Sequence, residues 1–218
     1  PEVRESSEPS SQVAVNVGAA SPAAVDQVTI LTAQPNKRTT KLWRANGTID
    51  AYDAGWLFQV TPVPVSSIAQ LSALLTSIES NPQALVIRGT LKAHALQDSP
   101  GYYRRLNANF DDAPLPWICL DVDGYMPPNG IDPVADPVRA VYAYIKDHLP
   151  KCFDGAAFHW QLSSSAGHPS KQRLLKAHLW FWLTAPRTCD ELKAWAKSVG
   201  HAIDSSLYQR VQAHYTAL

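Results

Sequence analysis

Two acidic residues separated by one position follow an apolar segment near the middle of the chain. The apolar residues 117–120 lead directly into Asp121 and Asp123. Because the segment is short and is bounded by Pro116 and Gly124, it predicts a buried strand. Side chains alternate across a strand, so Asp121 and Asp123 are expected to project from the same face.

Two carboxylates on one face repel each other unless a positive charge lies between them. A divalent cation such as Mg²⁺ or Mn²⁺ is the usual partner, because these ions prefer oxygen ligands. Protein-bound Mg²⁺ often also contacts substrate phosphates, so the pair indicates phosphoryl or nucleotidyl transfer. The alternative is purely structural, since Asp and Gly favour turns and this segment can simply end a strand.

The composition is that of a globular chain with balanced charge. Its 218 residues suffice for one large domain, and 19 Lys and Arg residues balance 19 Asp and Glu residues. A protein that coats nucleic acid is usually basic, so neutrality argues against that class. It does not exclude an enzyme whose acidic metal site offsets a local basic groove.

Cysteine usage and hydropathy indicate a reducing compartment and no membrane partner. Cys119, Cys152 and Cys189 are far apart and lack zinc-binding spacing, so we expect free thiols. The sequence has neither a signal peptide nor an apolar run long enough to span a membrane. These features predict a cytoplasmic protein.

The chain divides into a leader and one catalytic domain. Residues 1–24 are rich in Ser, Pro and Ala and contain no aromatic residue, which predicts a flexible leader or linker. Residues 25–218 are expected to form the domain, with an N-terminal part at 25–90 and a motif-bearing core at 91–218. The first residue is not Met, so we expect a piece excised from a longer protein.

The remaining pattern predicts a mixture of strands and helices. Ser66 and Ser67 are candidate caps for the first helix, Thr188 or Asp190 for the last, and an Asn46–Gly47 turn separates the second and third strands. The predicted strands are 28–32, 41–43, 55–60, 84–89, 117–124, 156–162 and 177–183, and the predicted helices are 68–78, 137–149 and a segment ending at 199. Because they do not alternate strictly, the fold is predicted to be α+β rather than a doubly wound parallel sheet.

Three further polar features follow the acidic pair in order. They are a small, hydroxyl-rich turn at Ser163–Gly167, a histidine within an apolar strand at His178, and an acid after an apolar pair at Asp204. Each has a structural interpretation by itself. The turn can be a plain loop, the histidine a hydrogen-bonded core residue and the aspartate a helix cap.

The ordered set resembles the archaeo-eukaryotic primase superfamily, the primase-polymerases common in plasmids, phages and integrated elements. That family has an apolar-Asp-apolar-Asp motif, a Ser-x-His type motif on a strand pair and a third Asp after an apolar residue. The matching segments are Leu120–Asp123, the Ser163–Gly167 turn with His178, and Ile203–Asp204. The resemblance covers about residues 88–218, and residues 25–85 are only compatible with it. Here a polar insertion divides the histidine motif.

The resemblance implies a catalytic core with a mixed or antiparallel, RRM-like sheet flanked by helices. Asp121, Asp123 and Asp204 would bind Mg²⁺ or Mn²⁺ for two-metal nucleotidyl transfer. His178 would contact the phosphates or sugar of the incoming nucleotide. The implied activity is primer synthesis or extension on single-stranded DNA from ribo- or deoxynucleoside triphosphates, for replication of a mobile element.

Hydroxyl and basic residues near the histidine complete the implied nucleotide site. Ser163 and Ser165 would donate to phosphate oxygens, and Lys176 and Arg173, with Lys171 beside them, would hold triphosphate or template charge.

Four aromatic residues and one arginine have candidate roles as well. Tyr125 or Tyr208 is a candidate for stacking on bases, whereas Trp180 and Trp182 are expected mainly in the core. Arg88, at a strand end, is either an ion-pair partner or a phosphate contact.

A replicative helicase is the protein partner that the resemblance implies. The sequence has neither a zinc-binding cluster nor a phosphate-binding Gly-x-x-x-x-Gly-Lys segment. The helicase is therefore expected downstream of this chain or on another chain.

Two rival functions fit parts of the pattern. In a haloacid-dehalogenase-type phosphatase, Asp121 would be the nucleophile and Asp123 the general acid or base. That family also needs a lysine, for which Lys176 is a candidate, and a downstream acidic pair, for which only Asp190 and Glu191 are available. The second rival is a non-catalytic DNA-binding or origin-recognition module of a replication protein, which would need no metal.

Overall fold

The computed structural model describes residues 26–53, 55–98, 101–200 and 203–216. The predicted leader at 1–24 lies outside these residues. None of the helices in the described part of the chain combines the length and hydrophobicity needed to cross a membrane.

Short strands and helices are interspersed along the described residues. The strands are β1 (Gln27–Ala33), β2 (Leu42–Trp43), β3 (Ile49–Asp50), β4 (Leu57–Pro64), β5 (Ala84–Ile87), β6 (Thr90–Leu91), β7 (Tyr103–Arg104), β8 (Phe110–Asp111), β9 (Leu115–Tyr125), β10 (Phe158–Leu162), β11 (Leu175–Arg187) and β12 (His214–Tyr215). The α-helices are α1 (Ile68–Ile78), α2 (Ala93–Asp98), α3 (Pro137–His148) and α4 (Cys189–Val199), and 3₁₀ helices occur at Lys151–Phe153, Pro169–Lys171 and Ser205–Leu207.

Two antiparallel sheets form the framework. The larger has the strand order β12-β5-β1-β4-β7, and the smaller has the order β10-β11-β9. Two short hairpin-like pairs, β2 with β3 and β6 with β8, accompany them. The predicted α+β class with antiparallel sheet is therefore confirmed.

Most predicted elements coincide with observed ones, but the structure has an additional strand, β3, between the strands predicted at 41–43 and 55–60. The Asn46–Gly47 turn joins β2 to β3, not to the strand predicted at 55–60. That strand, β4, instead pairs with β1 and β7. Of the two candidate caps for α4, Thr188 forms a capping box with Glu191, so the helix begins at Cys189.

A tryptophan pair fills the space between the two sheets. Trp117 of β9 and Trp180 of β11 are fully buried, with ring centroids 5.6 Å apart. They belong to one apolar cluster with Val28, Leu71 and Val86 from β1, α1 and β5. Burial of large aromatic surface supplies much of the attraction between the sheets.

The opposite face of the smaller sheet is covered by two helices. Ile118 and Leu120 of β9 lie in a second cluster with Val141 of α3 and Leu192 of α4. Because β9 is buried on both faces, its sequence is apolar at successive positions rather than at alternate ones. The prediction of a buried strand before the acidic pair is confirmed.

Arg88 connects the larger sheet to the smaller one. It follows β5, is fully buried, and donates hydrogen bonds to the carbonyl oxygens of Trp117 and, at 2.6 Å, Arg187. Its guanidinium also lies 4.7 Å from the centroid of the Trp117 ring. No carboxylate of the described residues lies within ion-pair distance of Arg88. Arg88 is thus neither the ion-pair partner nor the exposed phosphate contact that its sequence position suggested.

His214 is a buried titratable group within the tryptophan cluster. Its ring centroid lies 6.0 Å from that of Trp117 and 5.7 Å from that of Trp180. Burial, with the nearby positive Arg88, lowers the pKa of His214 to about 3. In the unfolded chain a histidine titrates near pH 6.5, so between these values protons bind to the unfolded chain more than to the folded one.

We expect the free energy of unfolding to fall as the pH decreases below about 6.5. Between pH 6.5 and 5, His214 alone should cost about 1.6 kcal/mol, because the unfolded histidine goes from half to almost fully protonated and a whole proton contributes about 1.4 kcal/mol per pH unit. The variant H214F should lose correspondingly less stability over this interval, measured by urea unfolding. The exposed His94 provides the control variant H94F, and equal pH slopes for H214F and wild type would contradict the assignment.

Candidate active site

The acidic pair lies at the end of β9, on the face directed toward the larger sheet. Asp121 and Asp123 alternate with Val122 and continue the row of Trp117 and Cys119, which face the inter-sheet cluster. The Asp121 side chain is 32% exposed and that of Asp123 is 68% exposed. The predicted common face is confirmed, and both carboxylates are accessible.

Each carboxylate has a basic partner directly opposite on β11. The strand register pairs Asp121 with His178 and Asp123 with Lys176. The Lys176 ammonium forms an ion pair with Asp123, and Nε2 of His178 lies 3.5 Å from Oδ1 of Asp121. The repulsion that suggested a metal ion is therefore already reduced by the protein itself.

A β-bulge at the end of β9 sets this arrangement. Tyr125 pairs with Leu175 and Asp123 with Lys176, so Gly124 is an extra residue on β9. Gly124 has a φ of +108°, which other residues rarely adopt. The bulge interrupts regular pairing immediately after Asp123.

Burial changes the pKa of both basic partners. It lowers the pKa of His178, while the nearby negative charge of Asp121 acts in the opposite direction. Burial also lowers the pKa of Lys176, whose side chain is only 9% exposed, again opposed by Asp121. His178 is thus favoured in its neutral form, in which one ring nitrogen can donate a hydrogen bond and the other can accept one.

A first cleft of about 710 Å³ extends from the acidic pair toward the ends of α3 and α4. Asp121, Asp123 and Asp204 all line it, together with Lys197 of α4. Asp204 also caps a 3₁₀ helix, because its carboxylate accepts hydrogen bonds from the amide and hydroxyl of Ser206, both at 2.8 Å. Asp204 therefore caps the 3₁₀ helix and also lines the first cleft.

The three aspartates do not form a preassembled metal cage. In the part of the chain that the structure describes, no three His, Cys, Asp or Glu side chains are close enough to bind one metal ion together. Asp121 and Asp123 nevertheless present accessible carboxylate oxygens at the junction of two clefts, and such oxygens are preferred ligands of Mg²⁺ and Mn²⁺. The donor set fits a divalent cation, with Asp204 as the nearby third acid.

A second cleft of about 420 Å³ lies on the other side of the acidic pair. Its wall contains four residues predicted to bind nucleotide, Ser163, Ser165, Lys176 and His178. The two serine hydroxyls are 3.0 Å apart, and the Ser163 amide donates to the carbonyl oxygen of Lys176 at 2.8 Å. The polar insertion between the two halves of the histidine motif therefore folds back, and both halves face the same cleft.

Of the two basic residues in the insertion, Lys171 and Arg173, only Lys171 lies at a cleft beside the acidic pair. Lys171 lines the second cleft. Arg173 is exposed and lines neither of the two clefts, so the structure does not bring it to the acidic pair.

The two candidate stacking tyrosines have different environments. Tyr208 is 1% exposed and its hydroxyl donates to the Cys119 carbonyl oxygen at 3.2 Å, so stacking on a base by Tyr208 is excluded. Tyr125 lines the first cleft and donates to Asp147 at 2.6 Å. Trp180 is a core residue as expected, and Trp182 is partly buried against the same cluster.

The N-terminal part supplies a wall of the second cleft that the sequence did not reveal. Lys41, Trp43 and Tyr52, in and beside the β2–β3 hairpin, line this cleft together with the serine turn. The Trp43 ring packs edge-on against His168, with centroids 4.7 Å apart. The available signal was the grouping of aromatic and basic residues around the Asn46–Gly47 turn.

Comparison of the chain with protein-family models, with curated proteins and with solved structures found no match.

A metal ion bound at Asp123 would have to displace the Lys176 ammonium, and this competition can be measured. The variant K176M keeps an apolar stem but removes the positive charge. Without metal, we expect a loss of about 1 kcal/mol of stability, because the partner carboxylate is largely exposed. Added Mn²⁺ should raise the melting temperature of K176M more than that of wild type.

The exposed Lys151 provides the matched control, K151M. Its stability and its response to Mn²⁺ should equal those of wild type. An identical Mn²⁺ response in K176M and wild type would show that Lys176 does not compete with the metal.

Proposed function

We propose that this chain is the catalytic domain of a metal-dependent primase-polymerase of the archaeo-eukaryotic primase type. One observation carries the proposal. Asp121 and Asp123 lie at the junction of two clefts, one containing a third acid, Asp204, and the other containing hydroxyl and basic side chains. This arrangement suits transfer of a nucleotide from a triphosphate to a hydroxyl group.

The carboxylates would hold Mg²⁺ or Mn²⁺. Asp121 and Asp123 would be the principal ligands, with Asp204 contributing from the wall of the first cleft. When bound, such ions activate an attacking 3′-hydroxyl and neutralise charge on the triphosphate.

The second cleft would bind the incoming nucleoside triphosphate. Ser163 and Ser165 offer hydroxyl donors, and Lys171 offers an ammonium group on the same wall. Lys176 pairs with Asp123 in this structure, and it can transfer its ion pair to a phosphate when Asp123 binds a cation. Neutral His178 can donate a hydrogen bond to a phosphate or to the sugar.

The fold is compatible with this assignment. The smaller sheet is antiparallel and has α3 and α4 on one face, which is compatible with the RRM-like core that we propose. Both the N-terminal part, 25–90, and the core, 91–218, contribute walls to the second cleft. We therefore treat 25–218 as one catalytic unit that uses a single-stranded DNA template and works with a replicative helicase, downstream or in trans.

The phosphatase alternative receives less support. It requires an acidic pair close to Asp121, and the candidates Asp190 and Glu191 lie in the first turn of α4. Glu191 accepts a hydrogen bond from the Thr188 amide at 2.8 Å, and neither acid lines the two clefts beside Asp121.

The direct test is incorporation of labelled nucleotides on single-stranded DNA. With Mg²⁺ or Mn²⁺ we expect polymeric products, and D121N or D123N should reduce the rate roughly hundredfold or more, because metal ligation contributes several kcal/mol to the barrier. The exposed Asp154 makes no side-chain hydrogen bond or ion pair with the described residues, so D154N is the matched control.

Equal synthesis by D121N and D154N would contradict the proposal. Tight, metal-independent DNA binding without any synthesis would favour the non-catalytic module. Metal-dependent release of phosphate from a phosphate monoester, without polymer formation, would favour the phosphatase.

A second prediction concerns His178. Its replacement in H178A should raise the KM for nucleoside triphosphate about tenfold, because one hydrogen bond to a charged phosphate contributes about 1.5 kcal/mol or more. The control is H94A, at an exposed histidine outside both clefts. An unchanged KM in H178A, measured by steady-state incorporation, would remove His178 from the nucleotide site.

A further inference from the structure

The second cleft opens into a third cleft along the larger sheet. The two share Thr39, Tyr52 and Tyr215, and the third has a volume of about 480 Å³. At its far end are Trp56 and Arg104. The two adjoining clefts, which extend from the acidic pair to Trp56, are here called the Tyr52–Trp56 groove.

An exposed tryptophan and an unpaired arginine characterise the far end of the groove. The Trp56 residue is 80% exposed. Arg104 is exposed, and its guanidinium makes no hydrogen bond or ion pair with the described residues. Trp56 directly precedes β4, whose first residue Leu57 pairs with Arg104 of β7, and both Trp56 and Arg104 line the third cleft.

The charge of the groove is positive. Asp53 also lines the third cleft, but Lys37 forms an ion pair with it at 2.9 Å. Arg105 lines the cleft as well and uses one nitrogen to donate to the Val211 carbonyl oxygen at 2.6 Å. Arg104 is left available for an external anion.

We propose that the Tyr52–Trp56 groove binds single-stranded nucleic acid, with bases stacked on Tyr52 and Trp56 and a phosphate at Arg104. Exposed aromatic rings beside basic side chains are the features by which proteins bind single strands without sequence preference. A duplex cannot use them, because its bases are already stacked on one another. The far end is therefore specific for unpaired strands.

The position of the groove deepens the proposed function. Tyr52 lines both the second and third clefts, so a strand lying on Trp56 would continue past Tyr52 to the acidic pair. A template base would then reach the nucleotide that the second cleft holds. This last step rests on the proposed function, but binding of the strand does not require catalysis.

The test is fluorescence anisotropy of labelled dT20 with the full chain, without nucleotide or metal. W56A should weaken binding roughly five- to hundredfold, and W56F should retain most of the affinity, because phenylalanine still stacks. R104A should weaken binding and reduce the slope of log K against log salt concentration by about 0.7, the value for one phosphate contact.

The matched controls lie on α3, against the other face of the smaller sheet. Tyr142 is 57% exposed and Arg139 forms only an exposed ion pair with Asp136. Y142A and R139A should bind like wild type, and circular dichroism melting checks that every variant is folded.

Wild-type affinity in folded W56A and R104A, or equal losses in the α3 controls, would overturn the proposal. The same anisotropy assay is run with labelled rU20 and with a labelled blunt duplex. Stronger binding of dT20 or of rU20 identifies the preferred sugar, whereas binding of the duplex as tightly as the single strand would overturn the proposal. The binding result is independent of synthesis, because anisotropy is measured without nucleotide or metal and requires no chain elongation.

Discussion

The antiparallel pairing of β9 with β11 is the constraint on which the candidate site depends. Its register sets Asp121 opposite His178 and Asp123 opposite Lys176, and the bulge at Gly124 ends regular pairing directly beyond them. A shift of one residue would direct both carboxylates to the face covered by helices. The register therefore fixes the positions of both carboxylates and of the two side chains opposite them, of which Lys176 neutralises Asp123.

Buried contacts far from the acidic pair fix the position of the larger sheet relative to the smaller one. Trp117 and Trp180 hold the two sheets face to face, and Arg88 joins them through backbone carbonyl oxygens. Because these groups are buried and closely packed, the gap between the sheets is set by the core rather than by mobile loops. The core therefore positions strands β9 and β11, which carry Asp121, Asp123, Lys176 and His178.

The sequence predicted the local features of the site better than its long-range ones. Strand alternation was enough to place Asp121 and Asp123 on one face. The sequence did not predict that Tyr52 and Trp56 line the clefts beside the acidic pair. Such placements depend on pairing between segments almost fifty residues apart, as between Leu57 and Arg104. Neither composition nor periodicity contains that pairing.

The most direct test of the central claim is a crystal structure with Mn²⁺ and a non-hydrolysable nucleoside triphosphate. The account predicts an anomalous Mn²⁺ peak at Asp121 and Asp123, with the triphosphate beside Ser163. The Lys176 ammonium should then contact a phosphate oxygen instead of Asp123. A structure in which Lys176 still pairs with Asp123, with Mn²⁺ and the triphosphate bound elsewhere, would contradict the account.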